Sequence, residues 1–276
     1  MNQEVFTAVA DALERGEPAA LVTIVSARGS TPQRVGAKML VFADGRIVGT
    51  IGGGCYENDA FWKAREAITS RRPELVHYEL DDDFAQETGL ICGGQMDVYI
   101  EPIEPSPELY VIGAGHVGFY LARVAHEVGF RVHVVDDREK FANRERFPDA
   151  VEVVVDDIPE WIARAQLPPH AYAVIVTRGH TNDLEALRAL APLELRYLGL
   201  IGSRAKVARI YDALRADAMA SDLLRRVHAP IGLDIGAVTP QEIAVSILAE
   251  LIAVKHGKFS SRDAAELSMQ WNNLKA

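Results

Sequence analysis

The chain has 276 residues, 49% apolar and 25% charged, which is long for one domain and comfortable for two soluble ones. Its formal net charge of −10 speaks against nucleic acid or an anionic membrane surface as the main partner. A basic pocket confined to one cleft is still compatible with that total.

The N-terminal stretch has acidic residues early and lacks the basic, apolar, small-residue order of a secretory signal. Val5, Val9, Ala12 and Leu13 instead fall at helical spacing, and Gly16 and Pro18 stop the run. Ala19–Ala27 predicts a buried strand. The segment 37–51 predicts a hairpin turning at Asp44-Gly45, and 74–80 and 95–103 predict two further strands. A helix from about Glu57 to Ser70 interrupts them. Three prolines among acids at 101–108 mark a linker, so domains are expected over 1–104 and 105–276.

Beyond the linker the pattern becomes strand, helix, strand. Residues 109–137 predict a complete β-α-β unit, and further strands are expected at 151–155, 171–177 and 195–201, each followed by a helix. Thr239, Pro240 and Glu242 form a helix start with a capping box. The longest apolar run, Ile243 to Val254, contains Glu250 and is too short to span a bilayer. The expected fold class is therefore α/β: an N-terminal mixed α+β domain, then a Rossmann-like doubly wound parallel sheet, in a cytoplasmic protein.

Several motifs carry chemistry. Gly113, Gly115, His116 and Gly118 follow a predicted strand and open a helix, and Asp136 ends the next strand. Those glycines allow backbone to approach a pyrophosphate at the helix N-terminus, and the acid can hold a ribose hydroxyl. NAD(P) is one occupant that such a crevice can take. Arg178 and His180, with Ser203 and Arg204, follow strands on the same predicted edge and are candidates to line it. The loop 26–39 offers Arg28, Ser30, Thr31, Arg34 and Lys38 as an anion pocket or as an ordinary solvated turn.

The chain has only two cysteines. Cys55 follows Gly52, Gly53 and Gly54 at a predicted helix start, where the macrodipole favours a thiolate. Cys92 precedes Gly93-Gly94 and fits that description in part. In a reducing compartment a structural disulfide is not expected, which leaves ligand, nucleophile or core residue for each.

"VTIVSARGSTPQRVGAKMLV", "DGRIVGTIGGGCYE" and "GLICGGQMDVYIEP" resemble the N-terminal domain of the XdhC/CoxI-like xanthine dehydrogenase accessory proteins. "LYVIGAGHVG", "VTRGHTND", "YLGLIGSRAK" and "HAPIGLDIGAVTPQEIAVSILAELIAVKHG" resemble that family's C-terminal Rossmann domain, in the same order. The resemblance implies a molybdoenzyme-maturation chaperone more than a catalyst, serving purine catabolism. Such a protein binds the molybdenum cofactor (molybdopterin), works with a cysteine desulfurase that supplies a sulfido ligand, and inserts the cofactor into apo xanthine dehydrogenase at its molybdenum subunit. It further implies phosphate held at Gly52–Gly54 or Gly113–Gly118, a basic contact from Arg28, and Cys55 and Cys92 placed to touch molybdenum or carry sulfur. An NAD(P)-dependent oxidoreductase built on the C-terminal domain is the alternative expectation, and sulfur transfer through a Cys55 persulfide a third. Ligands favour domain interfaces, so the cleft between the two domains is the expected site, and a homodimer is expected from base rates.

Overall fold

The computed structural model describes residues 2–79, 94–168 and 171–258. The chain divides into two compact units between Ser106 and Pro107.

In the first unit, helix α1 (Asn2–Arg15) leads into β1 (Ala19–Arg28), the hairpin β2 (Lys38–Phe42) and β3 (Ile47–Gly49), helix α2 (Gly54–Ser70), β4 (Glu74–Glu79) and β5 (Gln95–Ile103). The five strands form one sheet in the order β3-β2-β1-β5-β4, with every pair antiparallel. The period of two sends Ala20, Val22 and Ile24 to one face, where they meet Ala60, Ala64 and Ala67 of α2. Three alanines at helical spacing let that helix lie close on the sheet. Ala19, Leu21, Leu40 and Phe42 face the other way, onto Val5 and Ala12 of α1.

One irregularity alters this alternation. The pairing of β1 with β5 shifts between Ile24 and Ser26, so one extra residue, Val25, bulges out and is 45% exposed. Beyond it Ala27 joins the α2 face, while Ser26 and Arg28 turn to the opposite one.

The second unit holds β6 (Glu108–Ile112), α3 (His116–Glu127), β7 (Arg131–Asp136), β8 (Glu152–Val155), α4 (Ile158–Arg164), β9 (Tyr172–Ile175), α5 (His180–Leu190), β10 (Tyr197–Leu200), α6 (Arg204–Ala216), α7 (Ser221–Arg225) and α8 (Pro240–Lys255). Its sheet runs β10-β9-β6-β7-β8 with all pairs parallel. Leu109 and Val111 point to α3 and α8, whereas Tyr110 and Ile112 point to α4, α5 and α6. Both faces are therefore covered, the doubly wound Rossmann-like arrangement that the alternating pattern predicts. The capping box at α8 is formed as expected: Thr239 Oγ1 accepts from the Glu242 N–H, and Glu242 accepts from the Thr239 N–H at 2.9 Å. No described helix is long and apolar enough to cross a membrane.

Candidate functional site

The glycine run of the first unit makes an unusual turn. Gly52, Gly53 and Gly54 have φ of 126°, 76° and 76°, so three successive residues adopt backbone that side chains avoid. This aims the N–H groups of the turn inward, and Glu57 fills the space. One of its carboxylate oxygens accepts from the Ile51 N–H at 2.9 Å, the Gly53 N–H at 3.1 Å and the Thr50 hydroxyl. The Gly52 N–H goes to the Thr50 hydroxyl oxygen at 3.0 Å. Burial pushes the Glu57 carboxyl up, but these donors outweigh it and hold the group below its ordinary range.

The expected phosphate cradle at Gly52–Gly54 is thus occupied by the protein's own carboxylate. The signal for this, an acid one helical turn beyond a glycine run, is present in the sequence. Replacing Glu57 with alanine leaves three donors without an acceptor and should cost about 1–3 kcal/mol. A lower melting midpoint and faster alkylation of Cys55 are the expected readouts.

Cys55 is the second residue of α2, half-buried and not in a disulfide. Asp59, one turn along the helix, accepts from the Tyr78 hydroxyl at 2.6 Å, and Tyr78 meets Tyr56 edge-on with ring centroids 5.5 Å apart. The loop after β1 closes against the same turn: a Cβ on Gly52 would lie 2.6 Å from Pro32, and one on Gly94 2.5 Å from the Ser30 carbonyl oxygen. Backbone is packed tightly around this rim. Cys92 lies outside the described residues. Among the described residues no three His, Cys, Asp or Glu side chains converge as a metal would require.

Arg28 stands apart from this rim. Because of the bulge at Val25 it stands on the sheet face opposite α2 and Cys55, near Ser26, Asp97 and His77. There the His77 hydrogen bond, then Ser26, hold the Asp97 carboxyl below its usual range, with the Arg28 charge contributing less. Two members of the anion pocket expected of loop 26–39 are engaged within the protein. Lys38 donates to the Thr23 hydroxyl at 2.9 Å and lies over Phe6 of α1, while Thr31 donates to the Gln33 carbonyl.

In the second unit the parallel sheet brings the other candidates to one edge. Loops leave the C-terminal ends of β6, β9 and β10, and β6 and β9 are neighbours from which the strand order runs in opposite directions. Gly113–Gly118, Arg178–His180 and Ser203–Arg204 all stand there, and Asp136 ends β7 beside them. The three glycines have separate reasons. Gly113 has φ 117° and abuts the Val176 carbonyl, and a Cβ on Gly118 would meet the Gly113 carbonyl oxygen. Gly115 faces open space, the place where a ligand's phosphate can approach.

Asp136 is not positioned as the fingerprint suggests. It is 2% exposed, and both oxygens are engaged. One accepts from the Ala114 N–H at 2.7 Å and Arg138 Nη2 at 2.8 Å, the other from the Arg138 N–H and Nε at 3.0 and 2.7 Å. Burial raises its pKa, but Arg138 and the Ala114 N–H overcome that and hold it low. The carboxylate fastens the glycine loop, and its lone-pair directions are filled without a ribose.

His116, Arg178, His180, Ser203 and Arg204 are exposed along this edge. Arg178 comes within 3.5 Å of Asp137, and Ser203 caps α6 by accepting from the Lys206 N–H. Asp183, which the motifs do not single out, is fully buried beneath them. It accepts from the Thr177 hydroxyl at 2.6 Å and pairs with Lys206, tying the two βα loops together. Here burial wins over both partners and lifts the carboxyl.

Fold and site together define a two-unit protein: an α+β unit with a thiol on a glycine turn, then a Rossmann-type unit with an open glycine-loop edge. Residues 12–79 match the XdhC and CoxI family and residues 109–251 match the XdhC Rossmann domain, so the chain belongs to that family. It is 39% identical to the Escherichia coli protein YqeB over 253 residues, covering 91% of this chain and 46% of YqeB. The chain thus spans less than half the length of that relative. It is 26% identical to a Bacillus subtilis protein described as a probable xanthine dehydrogenase subunit (91% of this chain, 97% of the other). It is 24% identical to the molybdenum cofactor insertion chaperone PaoD of E. coli (89% and 86%). A crystal structure described as a xanthine dehydrogenase from Bacillus halodurans aligns with a TM-score of 0.53 and 25% identity over 93% of this chain and 97% of that one.

Proposed function

We propose that this protein serves molybdoenzyme maturation, taking the molybdenum cofactor as cargo and delivering it to an apo-enzyme of the xanthine dehydrogenase kind. The observation that carries this reading is that both family matches fall in order on one chain, which also aligns along 86% of a molybdenum cofactor insertion chaperone. The site chemistry agrees with it. The cargo is an anionic, phosphorylated pterin, and Gly115 leaves room for its phosphate at the N-terminus of α3. Cys55 is a free thiol on a rim of packed backbone, a soft group suited to a sulfur-bearing metal centre. Cys92 belongs to the same proposal on sequence grounds alone, as does a cysteine desulfurase as the sulfur donor.

Protein purified without air from cells making the cofactor should yield, after oxidation, close to one equivalent of fluorescent pterin and should raise the activity of apo xanthine dehydrogenase. Cys55→Ser is expected to keep the pterin but lower the sulfurated, active fraction several-fold. Absence of bound pterin from the wild-type protein sinks the proposal.

A second reading, NAD(P)-dependent oxidoreduction, is favoured by the same open space at Gly115 and opposed by the engaged Asp136 carboxylate. Nicotinamide fluorescence on titration with NADH and NADPH separates the two.

A further inference from the structure

The second unit carries a groove of about 650 Å³ between α3 and the loop 145–150. Along its helix wall His116, Phe119, Tyr120 and Arg123 recur at the spacing of one helix face, and Val132 of β7 reaches the same groove. Phe119 and Tyr120 pack against the core, and Phe119 meets Phe147 of the facing loop edge-on, yet both are only partly buried and line the groove, so aromatic surface is open there to a ligand. Its size falls in the range of small-molecule sites.

The charges in the groove are unevenly resolved. Arg146 is half-buried, and its guanidinium hydrogen bonds go to two backbone carbonyls, Ala114 at 2.9 Å and Phe141 at 2.6 Å. Phe119, Phe141 and Phe147 surround it at 5.1–5.4 Å, and no carboxylate pairs with it among the described residues. A cation enclosed by three rings and lacking an anion is incompletely compensated. Glu145 and Asp149 line the same groove, and neither forms an ion pair among the described residues. Carboxylates accept paired hydrogen bonds from a ring edge that carries an amino group next to an N–H. An aromatic wall, an uncompensated guanidinium and free carboxylates together describe one kind of ligand.

We propose that this groove binds a planar 2-amino-4-oxopyrimidine ring with an anionic substituent, the chemistry shared by pterins and guanine nucleotides. The ring lies against Phe119 and Tyr120, its amino edge meets Glu145 or Asp149, and its anion answers Arg146 and Arg123. The inference rests on the cargo-binding reading above, which it deepens by placing the ring.

The test uses the full-length protein and three probes: 6-carboxypterin followed by its own fluorescence, and GMP and AMP as competitors. Saturable 6-carboxypterin binding is expected, displaced by GMP more readily than by AMP. Tyr120→Ala and Glu145→Gln are each expected to weaken it about tenfold, Glu145→Gln with unchanged melting, and Arg146→Gln more strongly. GMP binding tighter than 6-carboxypterin assigns the groove to a guanine nucleotide within the same class. AMP competing as well as GMP, no binding, or full binding in both Tyr120→Ala and Glu145→Gln overturns the proposal. If these fail while the purified protein still carries pterin, the ring sits elsewhere and the maturation role stands; carboxypterin binding without any bound cofactor separates the two in the other direction.

Discussion

Replacing Glu250 with alanine is expected to destabilise the second unit by about 3–5 kcal/mol, a fall of roughly 10 °C or more in its melting midpoint. Glu250 sits in α8 and is fully buried beneath the sheet. One oxygen accepts from the Tyr197 hydroxyl at 2.5 Å and the Gly232 N–H at 2.8 Å, and the other lies 3.3 Å from His228 Nδ1. The His228 ring in turn packs on Tyr197, with centroids 4.4 Å apart. Removing the carboxylate leaves the Tyr197 hydroxyl and the Gly232 amide without this acceptor, in a place water does not reach.

The pH dependence separates Glu250 from the other buried acid of this unit. Burial pushes the Glu250 carboxyl up, but His228, Tyr197 and the Gly232 N–H prevail, and its folded pKa lies below the ordinary value. Its contribution is therefore complete above the unfolded carboxylate pKa and lost as pH falls through the folded one. Glu250→Gln should cost more at neutral pH than below about pH 4. Asp183 has the opposite sign, because burial outweighs Lys206 and Thr177 and lifts its pKa. Its contribution is present below the unfolded pKa and lost as pH rises through the folded one, so the cost of Asp183→Asn should shrink as pH rises. Denaturant melts of both variants across the acid range measure the two slopes; parallel slopes would contradict this account.

The elements that the sequence reveals are those set by local pattern. The period-two run in β5 and the Asp44-Gly45 turn depend on neighbours a few residues away, as does the capping box at Thr239, and each appears where expected. The features it hides depend on partners distant in the chain. Val25 looks like any other strand residue, yet bulging there sends Arg28 to the sheet face opposite α2 and Cys55. Asp136 satisfies the dinucleotide fingerprint by position, but Arg138, two residues on, takes its carboxylate back into the protein. Glu57 likewise turns an apparent anion cradle into a closed turn. In all three cases the residue type is legible in the sequence and its partner is not. Partners are decided by side-chain direction, which composition and spacing leave open.

The glycines of the β6–α3 loop turn that distinction into an experiment. A Cβ at position 118 would overlap the Gly113 carbonyl oxygen, a backbone atom that cannot move without shifting β6 against α3. Gly118→Ala should thus reach or exceed the upper end of the roughly 1–3 kcal/mol typical of overpacking, and the second unit should melt early or fail to accumulate. Gly115 differs in both respects that matter. Its φ of −64° suits any residue, and a Cβ there meets nothing within 4 Å. Gly115→Val should therefore cost only about 1 kcal/mol, the loss of a favourable N-cap residue. The added methyls would stand where a phosphate must approach the α3 N-terminus, so the pterin recovered from the purified protein should fall about tenfold or more. Free 6-carboxypterin has no phosphate and should bind Gly115→Val as it binds the wild type. A variant that folds and still carries a full equivalent of cofactor would show that the cargo's phosphate is held away from this loop. Gly115 would then owe its place to the turn alone.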